Sequence, residues 1–234
     1  MCNEEIILCQ TDSQKGCCAC CGLFNFRDVS RENLTNFLRL GKERLRQTSK
    51  RTNDNWEEYI ESIGIRDQTS HICPYQGLII SNKPGCMLHP KINDREMRDI
   101  SLFGSKICND FLCAAHYILS NEQKRILIRY IEDWYLYSVA IIDPESFIWI
   151  LRYIEKKYKM NDKNNQHNNK YLQDILCTAL EIHSRYLKDI TCPIFYYSNS
   201  EYDDHKHLFS LKSRSKKISK HRRLIENEIS RLMK

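Results

Sequence analysis

The sequence predicts a mainly α protein with a small β element, in which a cysteine-rich, metal-stabilised N-terminal half precedes a helical bundle. Three observations carry this. Gly (7) and Pro (5) are scarce among the 234 residues. Apolar residues recur at three- and four-residue spacing over most of the chain, the period of a one-sided helix. The turn-forming residues crowd instead into one stretch, 65–106.

Taken in order, residues 1–27 read as an irregular, cysteine-rich opening. Asp28 or Ser30 caps a helix whose face carries Leu34, Phe37, Leu38 and Leu45. A second short helix is expected from Asn53 to Ile63, with Trp56, Tyr59, Ile60 and Ile63 inward and Gly64 as its stop. Cys73-Pro74, Gly77, Lys83-Pro84-Gly85 and His89-Pro90 then break the periodicity. Between them Leu78-Ile79-Ile80 and Gly85-Cys86-Met87-Leu88 read as a hairpin turned over 82–85. Ile194 to Tyr197 gives the remaining β signal. A short helix is expected over Asp94 to Leu102, ending near Gly104.

Residues 107–119 place Cys108, Phe111, Leu112, Ala115 and Leu119 roughly on one helical face. Ser120 and Gln123 form a capping-box pattern that opens a helix to about Ile142. Asp143-Pro144-Glu145 is a strong new start: a cap, then Pro at the first helical position, then an acid in the first turn. Phe147, Ile148, Leu151, Ile154 and Tyr158 continue that face. Asn161 to Asn169 is polar and reads as a loop. Tyr171 to Leu187 is again amphipathic, 190–210 is irregular, and a basic helix runs from about Lys216 to Met233. The expected division is 1–119, a metal-binding module with helical inserts, and 120–234, a helical region; with no linker between them, one continuous domain also fits.

The chemistry lies in the thiols. Twelve cysteines are many for this length. A chain of 234 residues can bury a real core and does not need cross-links to rescue it. No basic n-region precedes an apolar run at the N-terminus, and no stretch approaches the length of a membrane span, so a reducing cytoplasm is the expected setting. There, clustered Cys points to metal or redox chemistry.

Cys17, Cys18, Cys20 and Cys21 supply two interleaved C-x2-C pairs. Downstream stand Cys73, then Cys86 with His89 at C-x2-H spacing, then Cys108 and Cys113, with His116 again at C-x2-H. One pair from the N-terminal cluster brings the set to eight donors, the number that two closed tetrahedral Zn2+ sites require. Zn2+ accepts mixed sulfur and nitrogen donors. Cys2, Cys9, Cys177 and Cys192 read as small buried hydrophobes. His71, His183, His205, His207 and His221 read as surface or internally satisfied residues. A [4Fe-4S] cluster on four of the thiols is the rival centre.

The run Cys17-Cys18-Ala19-Cys20-Cys21-Gly22, followed by dispersed cysteines, resembles bacterial zinc- or iron-chelating cysteine-rich proteins, which carry a C-x2-C and an adjacent Cys-Cys near the N-terminus. The resemblance covers the N-terminal half, and the C-x2-H groups depart from it. It implies metal chelation and no reaction.

Enzyme signatures are lacking: the sequence has no Gly-rich phosphate loop, no G-x-S-x-G and no H-E-x-x-H. A thiol–disulfide exchanger would place its C-x-x-C at a helix start after a strand. Gly22 to Phe26 reads as turn or strand instead.

Net charge is +6, and its excess lies at the C-terminus. Residues 206–234 hold ten of the 36 Lys and Arg but two of the 30 Asp and Glu. Lys212, Arg214, Lys216, Lys217, Lys220, Arg222 and Arg223 form a run that suits phosphate contacts with a nucleic acid. No aromatic interrupts it, which speaks against base stacking, and a solvated or frayed terminal helix is the plainer reading of it. The expected function is therefore a metal-binding, interaction-type module holding one or two structural Zn2+, with nucleic acid as the leading partner; an iron–sulfur redox protein is the alternative.

Overall fold

The computed structural model describes residues 6–12, 15–48, 71–80, 83–158, 166–190 and 199–233. The helix expected at 53–63, the β signal at 194–197, Cys2 and Cys192 lie outside them. Within them the protein is mainly α with one two-stranded sheet.

The thiol-rich opening is not a helix. It coils through two 3-10 turns, Ala19–Cys21 and Leu23–Asn25, hinged at Gly22 (φ 80°). A Cβ on Gly22 would stand 1.8 Å from the His71 carbonyl, so the close approach of the two segments requires Gly here. Helix α1 (Arg31–Arg39) is capped by Ser30, whose hydroxyl accepts from Asn33 N, and it buries Leu34, Phe37 and Leu38. The single helix expected through Leu45 breaks at Leu40. A second helix, α2 (Gly41–Thr48), starts where Gly41 passes 2.5 Å, measured from a hypothetical Cβ, from the backbone of Gln76 and Gly77.

The hairpin pairs β1 (Gln76–Ile80) with β2 (Lys83–Cys86) antiparallel, in the register Gln76↔Cys86 and Gly77↔Gly85, with an irregularity between Leu78 and Ile80. The expected partner strand was set too late in the chain: pairing begins at Lys83. Arg44 fixes this hairpin to the helices. Its guanidinium is buried, donates to the carbonyls of Pro74 (3.2 Å), Gln76 (2.7 Å) and Phe37, and lies over the Phe37 ring.

Three other expected helices are divided. In place of one helix over 94–102, α3 (Pro90–Asn93) stops at Asp94, which takes a left-handed φ of 54°, and a 3-10 turn follows at Arg98–Ile100. The span 107–119 splits into α4 (Gly104–Asp110) and α5 (Ala114–Ile118), because Phe111 and Cys113 are extended. After the capping box, α6 (Asn121–Tyr130) ends at Ile131, and Asp133 caps a new helix, α7 (Trp134–Ile142), by accepting from Leu136 N. Apolar spacing continues across these breaks because both sides face the same core. Cap and turn geometry, not the stripe, sets the boundaries.

Helix α8 (Pro144–Tyr158) begins at the predicted Asp143 cap, which accepts from Ser146 N. Helix α9 (Gln166–Lys188) starts inside the span expected to be loop. The irregular span 190–210 contains α10 (Asn199–His205) and a 3-10 turn at Lys206–Leu208. Ser215 caps α11 (Lys216–Leu232), which buries Ile218, Ile225 and Ile229 against α9. It is a core helix, not a frayed end. Among the described residues no helix is long and apolar enough to cross a membrane.

Every residue of α7 is buried. It is the centre of the fold, packed by α5, α6, α8, α9 and the first thiol turn. Tyr137 donates from its hydroxyl to Leu8 O (2.9 Å), and Tyr135 does so to Val29 O (2.9 Å). One cluster of buried side chains runs from Leu8 to Ile229.

Replacing Arg44 by Met should leave three buried carbonyls short of donors and lower unfolding free energy by about 3 kcal/mol in urea titrations. Arg46→Met, on the exposed side of the same helix, should change it by less than about 0.5 kcal/mol.

Candidate metal centre

Nine of the ten described cysteines gather in one region beside α7. They arrive on separate segments, each held by backbone geometry. Cys17 N donates to Cys9 O (2.9 Å), so the segment before the cluster runs alongside it. Cys73 N donates to Cys21 O (2.8 Å). Gln76, fully buried, donates its side-chain amide to Cys21 O and to Cys73 O (both 2.8 Å), and its backbone lies opposite Cys86 in the sheet. One glutamine thus ties three thiol-bearing segments together. Cys113 is the N-cap residue of α5, and Cys108, on α4, has its sulfur 3.3 Å from Ser101 Oγ.

Two hollows lie among these thiols. Cys9, Cys17, Cys20 and Cys113 border a void of about 10 Å³, closed otherwise by Leu8, Ala19, Phe111 and Ile141. A larger cavity, about 340 Å³, is lined by Cys9, Cys17, Cys18, Cys20, Cys21, Cys86 and Cys108. Its other walls are apolar (Ile79, Ile80, Ile92, Phe103, Ile107, Phe111), with Gln10, His89, Lys83, Lys91 and Arg98.

Burial, with neighbouring thiols adding to it, pushes Cys86 up to about 12, and burial pushes Cys73 up to about 11 against hydrogen bonds that lower it. Burial likewise raises Cys9, Cys17 and Cys113. Cys20 and Cys21 are raised first by hydrogen bonds to thiols, Cys20 to Cys21 and Cys21 to Cys18, and then by burial. Such thiols stay protonated and weakly nucleophilic unless a cation enters, since a metal ion inverts the local preference and deprotonates its thiol ligands. None of the described cysteines is in a disulfide.

The two histidines of the C-x2-H groups are engaged with backbone. His89 caps α3: its Nδ1 accepts from Lys91 N (3.1 Å). That bond puts the ring proton on Nε2, so ligation through Nε2 would require the cap to break. His116, buried on α5, accepts from Leu8 N through Nε2 in a long hydrogen bond (3.4 Å), and Cys9 Sγ lies 3.9 Å from the same nitrogen. As the side chains stand, no group of three or more His, Cys, Asp or Glu among the described residues is arranged to grip an ion. The thiols are neighbours rather than a closed coordination shell.

Cys9, expected to be a plain core residue, belongs to this nest. Its spacing from Cys17 carries no recognised ligand signature, so only the fold reveals it. Cys177 lies apart on α9, as expected of a packing residue.

A second polar cluster lies in the C-terminal half. His183 Nε2 donates to Asp143 Oδ2 (2.9 Å), His183 Nδ1 faces His221 Nε2 at 3.3 Å, and Tyr186 stacks on His221 at 4.4 Å. Ser146 and Tyr202 complete the shell of Asp143. Asp143 and His183 are closed to solvent, so the group holds α8, α9 and α11 together rather than meeting a substrate. His183 and His221 are thus internally satisfied, not superficial.

Of the seven basic residues in the C-terminal run, three are used internally. Lys212 pairs with Glu145 (3.7 Å), Lys217 lies over the Tyr186 ring, and Arg222 lies over Trp149 and donates to Ser213 O. Arg214, Lys216, Lys220 and Arg223 are exposed. No family model matches the chain, and no curated protein or solved structure shows significant similarity to it.

Burial lowers His221 to about 4, with His183 adding to the effect. The folded protein therefore holds it neutral, while the unfolded chain takes up its proton near 6.5. This stability is complete above that value and is lost as pH falls from about 6.5 to 4, by about 3 kcal/mol at most. Urea midpoints measured across that window should drop with acid, and His221→Gln should flatten the slope.

Proposed function

We propose that this protein is a thiolate metal-binding module whose ion is structural Zn2+. The observation that carries the reading is the convergence of nine thiols, from distant parts of the sequence, on one apolar nest. Burying so many thiols together brings no packing advantage over Val or Ala, whereas a thiophilic cation converts high-pKa thiols, which would repel one another as bare thiolates, into ligands. The donor set fits Zn2+, which accepts all-sulfur tetrahedra. Closing a shell requires the side chains to turn inward, a rotation about χ1 that metal–sulfur bonding would drive.

Thiol–disulfide exchange is the less suitable chemistry, because it needs a thiol with a lowered pKa at an accessible position. A second reading, an iron–sulfur cluster, is favoured by one observation: the cavity beside Cys18, Cys21, Cys86 and Cys108 is larger than a single ion needs. Its apolar walls would suit a buried cluster.

For a partner, the exposed cations Lys216, Lys220 and Arg223 stand at i, i+4 and i+7 on α11, one outward stripe suited to phosphates along a nucleic acid.

Anaerobically purified protein should be colourless and carry about two Zn per chain, and chelation should lower its melting temperature by several degrees. A brown protein absorbing near ~400 nm would replace zinc by a cluster. Changing Lys216, Lys220 and Arg223 together to Ser should reduce the log–log salt slope of polyanion binding by roughly 3 without changing melting temperature. An unchanged slope would remove α11 as the contact.

A further inference from the structure

The two interleaved C-x2-C pairs serve different metal centres, we propose: Cys17 and Cys20 join Cys9 and Cys113, while Cys18 and Cys21 join Cys73 and Cys86. The assignment rests on the thiolate–metal reading above and specifies its ligands.

The local backbone separates the pairs. Residues 18–22 form a 3-10 turn in which Cys21 N donates to Cys18 O (3.1 Å) and Gly22 N to Ala19 O (2.9 Å). At three residues per turn, positions i and i+3 eclipse, and adjacent positions diverge by about 120°. Cys18 and Cys21 therefore eclipse, while Cys20 starts about 120° away, its thiol still within hydrogen-bond reach of that of Cys21. Tertiary contacts then supply each side with its own second pair.

On the first side, Cys9, Cys17, Cys20 and Cys113 are the described cysteines that border the 10 Å³ void. That is room for one small atom, with Leu8 and Ile141 among its walls. Cys9 is held there by the Cys17 N–H to Cys9 O bond.

On the second side, Gln76 binds the carbonyls of Cys21 and Cys73 and pairs with Cys86 across the sheet. Cys21 and Cys86 pack on the small apolar cluster built around Cys73. The two sides together use eight thiols and need neither His89 nor His116, which keep their backbone hydrogen bonds. Cys108 is left over, lining the large cavity.

The test is metal content of the full chain, purified anaerobically and counted by mass spectrometry. Cys9→Ser and Cys113→Ser should each lose one of about two equivalents, and Cys73→Ser should lose the other. Cys9→Ser/Cys113→Ser should lose no more than either single variant, whereas Cys9→Ser/Cys73→Ser should lose both. Cys9→His, which retains a ligand, covers the case in which the Ser variants fail to fold. After cobalt substitution it should keep its metal count, and the thiolate-to-cobalt absorption of that site should fall by about a quarter. Full metal content in Cys9→Ser, or an unchanged cobalt spectrum in Cys9→His, overturns the assignment and leaves thiolate binding intact. Wild-type protein that binds neither zinc nor cobalt removes both.

Discussion

Burial of α7 on every face is the constraint from which the rest of the structure follows. A helix with apolar residues all round has no solvent side and must be enclosed completely. Helices cover most of it here. The remaining face is closed by the thiol-rich N-terminal segment, which has little regular structure of its own. Tyr137 and Tyr135 make this possible by giving hydroxyl donors to Leu8 O and Val29 O, carbonyls that would otherwise be buried at a cost of about 1–3 kcal/mol each. The same enclosure puts Ile141 at the floor of the void between Cys9, Cys17, Cys20 and Cys113. The thiols inherit a low-dielectric setting from the helix they cover, and this makes them poor nucleophiles.

Irregular backbone next to a core needs hydrogen-bond partners, both donors and acceptors, and the protein recruits them from side chains that pattern reading assigns to other tasks. Arg44 satisfies three carbonyls, Gln76 two, His89 an N–H of α3 and His116 the N–H of Leu8. The bonds of Arg44, Gln76 and His116 solve the same problem, a buried polar group that has lost water, and His89 caps a helix end at the surface. The Asp143–His183–His221 chain does the equivalent work between helices in the other half. Its cost appears only in acid, where His221 must remain neutral.

This division of labour separates the two candidate histidines from the thiols. C-x2-H spacing is compatible with a ligand pair and equally compatible with a cap. For His89, Pro90 at the first helical position of α3 decides the matter, since a residue just before such a Pro is a natural N-cap. In the C-terminal basic run, likewise, the seven residues look equivalent in sequence, yet Lys212, Lys217 and Arg222 contact Glu145, Tyr186 and Trp149. Lys216, Lys220 and Arg223 form the outward stripe of α11, with Arg214 exposed just before it.

The sequence by itself determined the helical class, the hairpin, the capping box at Ser120, the start at Asp143 and the thiol-rich character of the N-terminal half. These are local properties, set by periodicity and by side chains within a few residues of the backbone groups they satisfy. It did not determine where long apolar stripes break, because a stripe records which side faces the core and not whether the chain stays helical. Nor could it group the thiols. Cys9 and Cys113 are neighbours because α5 and the N-terminal segment both pack on α7, and Cys73 meets Cys21 because Gly22 lets two backbones touch and Gln76 bonds to both. Contacts between residues a hundred positions apart depend on packing of the whole core, which no short spacing encodes.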